Sequence, residues 1–225
     1  MVLGADGRPL RPAVLWNDTR SGPQTERLVA ALGREGLGDR ISSVPVPSIT
    51  VTRWAWLRET GAGGGGGDAR ECGSPDFLTE RLCGRGVTDR GDASGTSWWS
   101  TRGRVRQRGM GMPGVALDPA MLPEVLPPDG VASTVTEAAA AFLGIRAGIP
   151  VGPGSGDNAG AALGLRRAGT PVISLGTSGV AYAVSVSRPV DPGGMVAGFA
   201  DASEHFLPLR RPSSAPSPWT ASPAG

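Results

Sequence analysis

Apolar residues recur every three or four positions in several stretches of the chain, the spacing that places side chains on one face of a helix. These stretches begin near Ser, Thr or Asp, which can cap a helix, and several end at glycine. We predict helices over residues 22–33, 48–60, 74–83, 134–143 and 157–165. In the second helix we expect Trp54 and Leu57 to face inward, and in the third Phe77, Leu78 and Leu82.

Shorter apolar runs bounded by glycine or proline predict strands. The predicted strands are residues 1–3, 12–16, 150–152, 171–175 and 180–186. Asp6-Gly7 is a turn signal between the first two, so we predict a hairpin there. We expect 171–175 to be buried and to form a second hairpin with 180–186, whose tip would offer free backbone N–H groups.

Glycine and proline are unusually abundant, with 36 Gly and 21 Pro among 225 residues. Such a composition favours irregular structure over part of the chain. We expect Gly61–Gly67 to be a flexible loop. We assign no structure to residues 100–114, and we expect residues 210–225 to be disordered because they lack apolar periodicity.

Charge and cysteine content narrow the class of protein. The net charge is only +2 and is not concentrated on one face, so we predict no nucleic-acid partner. Cys72 and Cys83 form neither a CxxC motif nor a disulfide framework, which favours free thiols in the cytoplasm. A single histidine, His205, argues against a histidine-based triad or metal site, and we predict no metal ligands. No apolar run approaches the roughly 18 residues of a membrane span.

The first candidate site segment brings Trp16, Asn17 and Asp18 together within three residues, with Arg20 following. A sugar site needs such a set, because a flat ring covers C–H faces while amide and carboxylate groups bind hydroxyls. The alternative is a tryptophan at the edge of the core beside a surface Asp18–Arg20 pair.

The second segment places Asp157 directly after Gly154-Ser155-Gly156, at the start of an alanine-rich helix. Glycines allow a ligand to approach the backbone closely. A carboxylate there is suited to act as a general base toward a substrate hydroxyl. The alternative is that Asp157 only caps its helix.

The third segment is the turn Gly176-Thr177-Ser178 between two predicted strands. Backbone N–H and hydroxyl groups in such a turn can bind a phosphate. An ordinary tight hairpin could use the same residues.

The order of four motifs, LWNDTRS, TDRGDASGT, GSGDNAGAALG and VISLGTSGV, resembles the FGGY family of carbohydrate kinases over roughly residues 1–209. The resemblance implies an α/β protein with the actin-like, ribonuclease H-like ATPase fold, in which two domains enclose the active site. The fold would be incomplete here. We expect residues 1–168 to be part of the N-terminal domain and 169–209 the start of the C-terminal one. Residues 210–225 would be a disordered or frameshifted tail.

The resemblance also implies a reaction, the magnesium-dependent transfer of the γ-phosphate of ATP to a ketopentose, with D-xylulose favoured over ribulose, gluconate or glycerol. Asp157 matches the family's general base and Asn158 a sugar-binding position. Trp16, Asn17 and Asp18 match the sugar site. The Gly176-Thr177-Ser178 turn matches the part that approaches the nucleotide phosphates. The partners implied are the sugar and ATP; the oligomeric state stays open.

Some features depart from the family pattern. The family's Asp-x-Gly-Thr-x-Ser and Met-His-Gly elements do not precede Met1, and the chain changes character after Leu209. We therefore expect marginal stability and no turnover from this chain alone, with frameshifts as a hypothesis for residues 100–112 and the tail. We expect Asp92 and Ser94 to be structural, satisfying backbone groups in a turn. Two alternatives are a non-catalytic remnant and a Gly/Pro-rich interaction protein.

Overall fold

The structure is a computed structural model that describes residues 1–61, 70–71, 73–101, 115, 118–165, 169–175 and 179–210. Several sequence predictions lie outside the described residues: the glycine loop beyond Gly61, the Cys72 thiol, most of the 100–114 stretch, the 176–178 turn and the tail from 211 onward. No helix within the described ranges is long and apolar enough to cross a membrane.

Seven α-helices are present in the described part of the chain. They are α1 Gly22–Leu32, α2 Arg34–Ile41, α3 Thr50–Glu59, α4 Ser74–Cys83, α5 Arg90–Gly95, α6 Glu137–Leu143 and α7 Asp157–Leu165. All five predicted helices are present, but α6 begins at Glu137 and not at Thr134, which belongs to a short strand. Gly33 ends α1 with φ +70, and Gly84 ends α4 in the left-handed region with φ +72, conformations that glycine adopts without strain. Thr136 caps α6 by accepting a hydrogen bond from the Ala139 amide.

The first three helices share the largest core cluster. Trp54 and Leu57 of α3 are buried as predicted, and the Trp54 ring packs edge-on against Trp98 with centroids 6.2 Å apart. The unpredicted helix α2 contributes Leu37 and Ile41, which are almost fully buried in this cluster. This packing stabilises α2 even though it contains two glycines.

The prediction for the inner face of α4 was wrong in part. Leu78 is 63% exposed, while the buried positions are Asp76, Thr79 and Cys83. These three residues lie on one face at i, i+3 and i+7 spacing. The helix therefore presents a partly polar face, with a carboxylate, to the interior.

Ten strands, most of them short, lie within the described ranges. They are β1 Val2–Leu3, β2 Arg70–Glu71, β3 Val87–Thr88, β4 Glu124–Val125, β5 Ser133–Thr134, β6 Pro150–Val151, β7 Pro171–Leu175, β8 Gly179–Ala183, β9 Val196–Ala200 and β10 Phe206–Arg210. The first six form three two-stranded pairs, β1–β2, β3–β4 and β5–β6; only β3–β4 is parallel. A short 3₁₀ helix spans Pro119–Met121.

The predicted strand at 12–16 is wrong. The turn at Asp6-Gly7 does return the chain beside β1, where Leu3 forms a bridge with Pro9 and the Leu10 amide donates to the Val2 carbonyl. Beyond that point residues 12–16 are irregular, and β1 pairs instead with β2. Prolines supply no ladder N–H, so this segment is poorly suited to extend the hairpin.

The last four strands form an antiparallel sheet in the order β7-β8-β10-β9. The β7–β8 hairpin confirms the second predicted hairpin. The expectation that β7 is buried was wrong: Ile173 is 69% and Leu175 72% exposed, because no described element covers their face of this edge strand. Val172, on the other face, packs against a core cluster. Arg210, assigned to the disordered tail, instead pairs with Val196 and Ala181.

This sheet supports the two helices that carry the candidate site. Ala159 and Ala162 of α7 share a core cluster with Tyr182, Leu207 and Leu209 of the sheet. Helix α5 packs on β9 through Ala93 and Ala200. The small side chains let both helices approach the sheet closely, so their N-terminal turns are held in fixed positions.

Candidate functional site

Asp157 lies in the first turn of α7, where the sequence predicts it. Its Oδ1 accepts hydrogen bonds from the Asn158 amide at 2.7 Å and from Asn158 Nδ2 at 3.2 Å. The side chain is exposed, and no basic side chain in the described ranges forms an ion pair with it. The preceding Gly154 has φ +91, a conformation that is strained for other residues. Asp157 is thus an oriented carboxylate open to a ligand.

The TDRGDASGT segment forms the strand–helix junction β3–α5 beside Asp157. Asp89 caps α5: its Oδ1 accepts from the Gly91 amide at 2.7 Å and from the Asp92 amide at 3.2 Å. Ser94 accepts from the Ala200 amide at 2.9 Å and donates to the Gly91 carbonyl, as a structural residue would. The expectation that Asp92 satisfies backbone groups is wrong, because its carboxylate accepts no hydrogen bond from the described residues.

Helices α5 and α7 meet at their first turns. A Cβ added to Gly156 would lie 3.1 Å from Asp92 Oδ1, so this carboxylate lies against the residue that precedes Asp157. A Cβ added to Gly91 would lie 3.8 Å from the Ala159 Cβ. The glycines on both sides therefore allow the two aspartates to face a common region.

Burial and mutual repulsion favour protons on this group of carboxylates. Burial raises the pKa of the Asp92 carboxyl to about 7, and repulsion from nearby carboxylates adds to it. Those carboxylates are Asp89, Asp76 and Asp157. Burial likewise raises the pKa of Asp89 to about 6, although the Asp92 and Gly91 amides oppose the shift. Burial also raises the pKa of Asp76 on α4.

The three candidate sugar-binding residues Trp16, Asn17 and Asp18 are not equally available to a ligand. Trp16 is 74% exposed and Asn17 is exposed, so both are accessible to a ligand. Asp18 is instead paired with Arg20, with Oδ2 to Nη2 at 2.8 Å. The Arg20 amide and side chain hold the pKa of Asp18 below its usual range. The Arg20 guanidinium in turn lies 4.8 Å from the centre of the Trp56 ring.

The structure brings together only part of the predicted site. Asp157 and Asn158 are adjacent and bonded, whereas no hydrogen bond or ion pair of the described residues joins them to the segment 16–18. Gly176, Thr177 and Ser178 lie outside the described residues. Within the described ranges, no group of three or more His, Cys, Asp or Glu side chains is placed to hold a metal ion.

Comparison with known proteins gives the family. The model of the FGGY family of carbohydrate kinases, N-terminal domain, matches residues 1–164. The chain belongs to the FGGY family of carbohydrate kinases. The xylulose kinase of Streptomyces coelicolor is 51% identical over 211 residues, which cover 93% of this chain and 43% of that protein. The chain thus spans less than half the length of this FGGY relative.

Solved structures of sugar kinases show the same fold. The crystal structure of xylulose kinase from Bifidobacterium adolescentis superposes with a TM-score of 0.80 at 33% identity, over 93% of this chain and 49% of that one. A xyloylose kinase from Brucella ovis gives a TM-score of 0.81 at 28% identity, over 92% and 43%. The predicted actin-like ATPase fold, present in part, is confirmed.

Sequence reasoning missed the carboxylates around Asp157 in this FGGY chain. Asp76 was not considered because the apolar residues of its helix were expected to face inward. Asp92 was expected to be a structural residue in a turn. One signal was available: Asp89 and Asp92 are three residues apart in a segment of small residues, which places both at one helix start. Their proximity to Asp76 and Asp157 depends on long-range packing and could not be read from spacing.

Proposed function

We propose that the chain is the sugar-side part of an ATP-dependent D-xylulose kinase and that Asp157 is its general base. The single observation that carries the proposal is the placement of Asp157: exposed, oriented by Asn158 and joined to no described basic side chain. Xylulose kinases are the relatives of highest identity named above, which supports this sugar. The same proposal includes a division into domains at about residue 168 and a cytoplasmic location.

The proposed step is a proton transfer coupled to phosphoryl transfer. Asp157 takes the proton of a sugar hydroxyl while that oxygen forms a bond to the γ-phosphorus of ATP, and the bond from phosphorus to the bridging oxygen of ADP breaks. Most of the catalysis would come from positioning and charge, because this reaction asks little covalent chemistry of the protein. Asn158 is proposed to fix the carboxylate and to contact the sugar.

Trp16 and Asn17 are proposed to contact the sugar ring. The exposed Trp16 ring offers a flat apolar surface for C–H groups, and the Asn17 amide can bind hydroxyls. Asp18 is proposed to act mainly by holding Arg20 on Trp56, which orders the segment, because its oxygens are already engaged.

ATP and Mg²⁺ are proposed as the cofactors. The Gly176-Thr177-Ser178 turn would approach the phosphates, and Mg²⁺ would neutralise phosphate charge. Because the described residues supply no metal-ligand cluster, we derive no step through the metal. The 211 matched residues cover 43% of the Streptomyces coelicolor relative, so we expect this chain to bind sugar without turnover on its own.

The test uses a full-length chimera in which residues 1–209 replace the matching segment of the Streptomyces coelicolor xylulose kinase. ADP release is coupled to an optical assay with D-xylulose, D-ribulose, gluconate and glycerol. We expect D-xylulose to be preferred and Asp157→Asn to lower kcat by about 100-fold or more with little change in melting temperature. Asp129→Asn is the matched control, since Asp129 is an exposed aspartate outside α5 and α7.

Each outcome decides between the proposals. Turnover that survives Asp157→Asn would refute the assignment of the base. Preference for gluconate or glycerol would leave the base in place but replace the substrate. A chimera that folds yet has no activity with any of the four would support the remnant alternative.

A further inference from the structure

Asp92 is a carboxylate at the junction between α5 and the loop before α7. It lies in the first turn of α5, and its Oδ1 contacts the Gly156 position of the loop that leads into Asp157. A Cβ atom at position 156 would lie 3.1 Å from Asp92 Oδ1, so a larger residue there would press against this oxygen. The carboxylate accepts no hydrogen bond from the described residues. The nearby donors bind other acceptors: the Gly91 and Asp92 amides bind Asp89, the Ala200 amide binds Ser94, and the Ser94 hydroxyl binds the Gly91 carbonyl.

The charged groups that face Asp92 come from each element packed against it. Asp76 reaches it from α4, Asp89 from its own helix and Asp157 from α7. On the side of the sheet, Arg90 is engaged with the 201–205 turn, donating to the Ser203 carbonyl and lying 3.9 Å from Glu204. Asp92 is therefore surrounded mainly by negative charge.

Keeping a carboxylate there weakens the fold. Burial and repulsion raise the pKa of Asp92 to about 7, so ionising this carboxyl at neutral pH and above costs folding free energy. An asparagine would have nearly the same shape without the charge. Groups whose ionisation is disfavoured in this way cluster at functional sites, where the charge has a use.

We propose that Asp92 is a positioning residue for Asp157, acting through its contact with Gly156 and through its negative charge. This inference rests on the proposed function of Asp157. When Asp92 is ionised, the two carboxylates on facing helix starts repel each other. Proton transfer from the sugar hydroxyl removes the charge on Asp157 and relieves that repulsion, so ionised Asp92 favours the proton transfer. Asp92 need not touch the sugar for this effect.

The inference makes activity depend on the charge of Asp92. In the chimera described above, kcat/KM of wild type and of Asp92→Asn is measured with D-xylulose between pH 6 and pH 8.5. We expect Asp92→Asn to be roughly three- to tenfold slower at pH 8 and close to wild type at pH 6, where Asp92 is already protonated. The loss should fall on kcat more than on KM. Asp129→Asn should match wild type at every pH.

A structural role would give a different pattern. If the ratio of wild type to Asp92→Asn is the same at pH 6 and pH 8, or if Asp92→Asn equals wild type throughout, the inference is wrong. Asp92→Glu keeps the charge: it should retain the pH dependence even if it lowers the rate, and loss of that dependence would also refute the role. Activity that survives Asp157→Asn is a separate result, and it would remove the proposed function rather than this inference alone.

Discussion

The Gly198 amide of β9 donates a hydrogen bond to the Ser42 carbonyl at 2.8 Å, and no side chain fits between the two residues. A Cβ on Gly198 would lie 2.6 Å from the Ser42 Cβ and from its carbonyl oxygen. Ser42 is fully buried and adopts φ 59 just after α2. This contact joins the helical region to the C-terminal sheet at a place where the backbones touch.

We predict that Gly198→Ala destabilises the chain by about 1–3 kcal/mol, because Ser42 or the strand must shift to admit the methyl group. Gly36→Ala is the control: Gly36 lies inside α2 with no atom near its Cβ position, so alanine there should stabilise by about 0.5–1 kcal/mol. Urea unfolding followed by circular dichroism measures both. Equal stability of the two variants would contradict the packing at Ser42.

A second prediction concerns Ser94, which is 4% exposed and receives the Ala200 amide at 2.9 Å. Ser94→Ala leaves that buried N–H without an acceptor, so we expect a loss of about 1–3 kcal/mol in the free energy of unfolding. Ser187→Ala, at an exposed position, should change it by less than about 0.5 kcal/mol. Thermal unfolding of the two variants checks this, and a Ser94→Ala protein as stable as wild type would mean that β9 is not held by α5.

Local signals predicted the helices well because caps and stops act over a few residues. Thr136 caps the start of α6 with its side chain, and Gly84 ends α4 in the left-handed conformation. Helix α2 was missed because Gly36 and Gly38 obscure its pattern, and it depends on burial of Leu37 in a distant core. Strand β10 was missed because Pro208 argues against a central strand, yet it lies between β8 and β9.

The candidate site was predictable only in part. Asp157 and Asn158 could be found from a glycine turn before a helix, since the chemistry and the local structure lie in one segment. The contact between Asp92 and Gly156 joins residues 64 positions apart and is a product of the fold. Exposure could not be predicted either, as Leu78 and Ile173 follow apolar patterns but face outward.

A third prediction follows from the buried aspartates. The pKa of Asp92 is raised from 3.8 to about 7 and that of Asp89 to about 6, so the folded chain keeps protons that the unfolded chain has lost. Their contribution to stability is therefore complete below pH 3.8, falls as pH rises, and is lost above about pH 7. We expect Asp92→Asn to raise the free energy of unfolding by about 2 kcal/mol at pH 8 and by little at pH 4.

Urea unfolding at pH 4, 6 and 8 measures this difference. Subtracting the wild-type values cancels the carboxylates that do not interact with Asp92, which titrate alike in both proteins, and Asp129→Asn should show little change at any pH. A difference that does not grow between pH 4 and pH 8 would show that neither burial nor neighbouring carboxylates disfavour the ionised form of Asp92.

The last prediction separates binding from stability at Trp16, which is 74% exposed. If its ring covers the C–H face of the sugar, Trp16→Ala in the full-length chimera should raise KM for D-xylulose roughly 3- to 10-fold, with kcat and melting temperature nearly unchanged. Phe142→Ala is the matched control, because Phe142 is an aromatic residue that is 88% exposed on α6. It should alter neither KM nor stability. Equal KM values for the two variants would remove Trp16 from the sugar site, whereas a fall in melting temperature for Trp16→Ala alone would assign it to the fold.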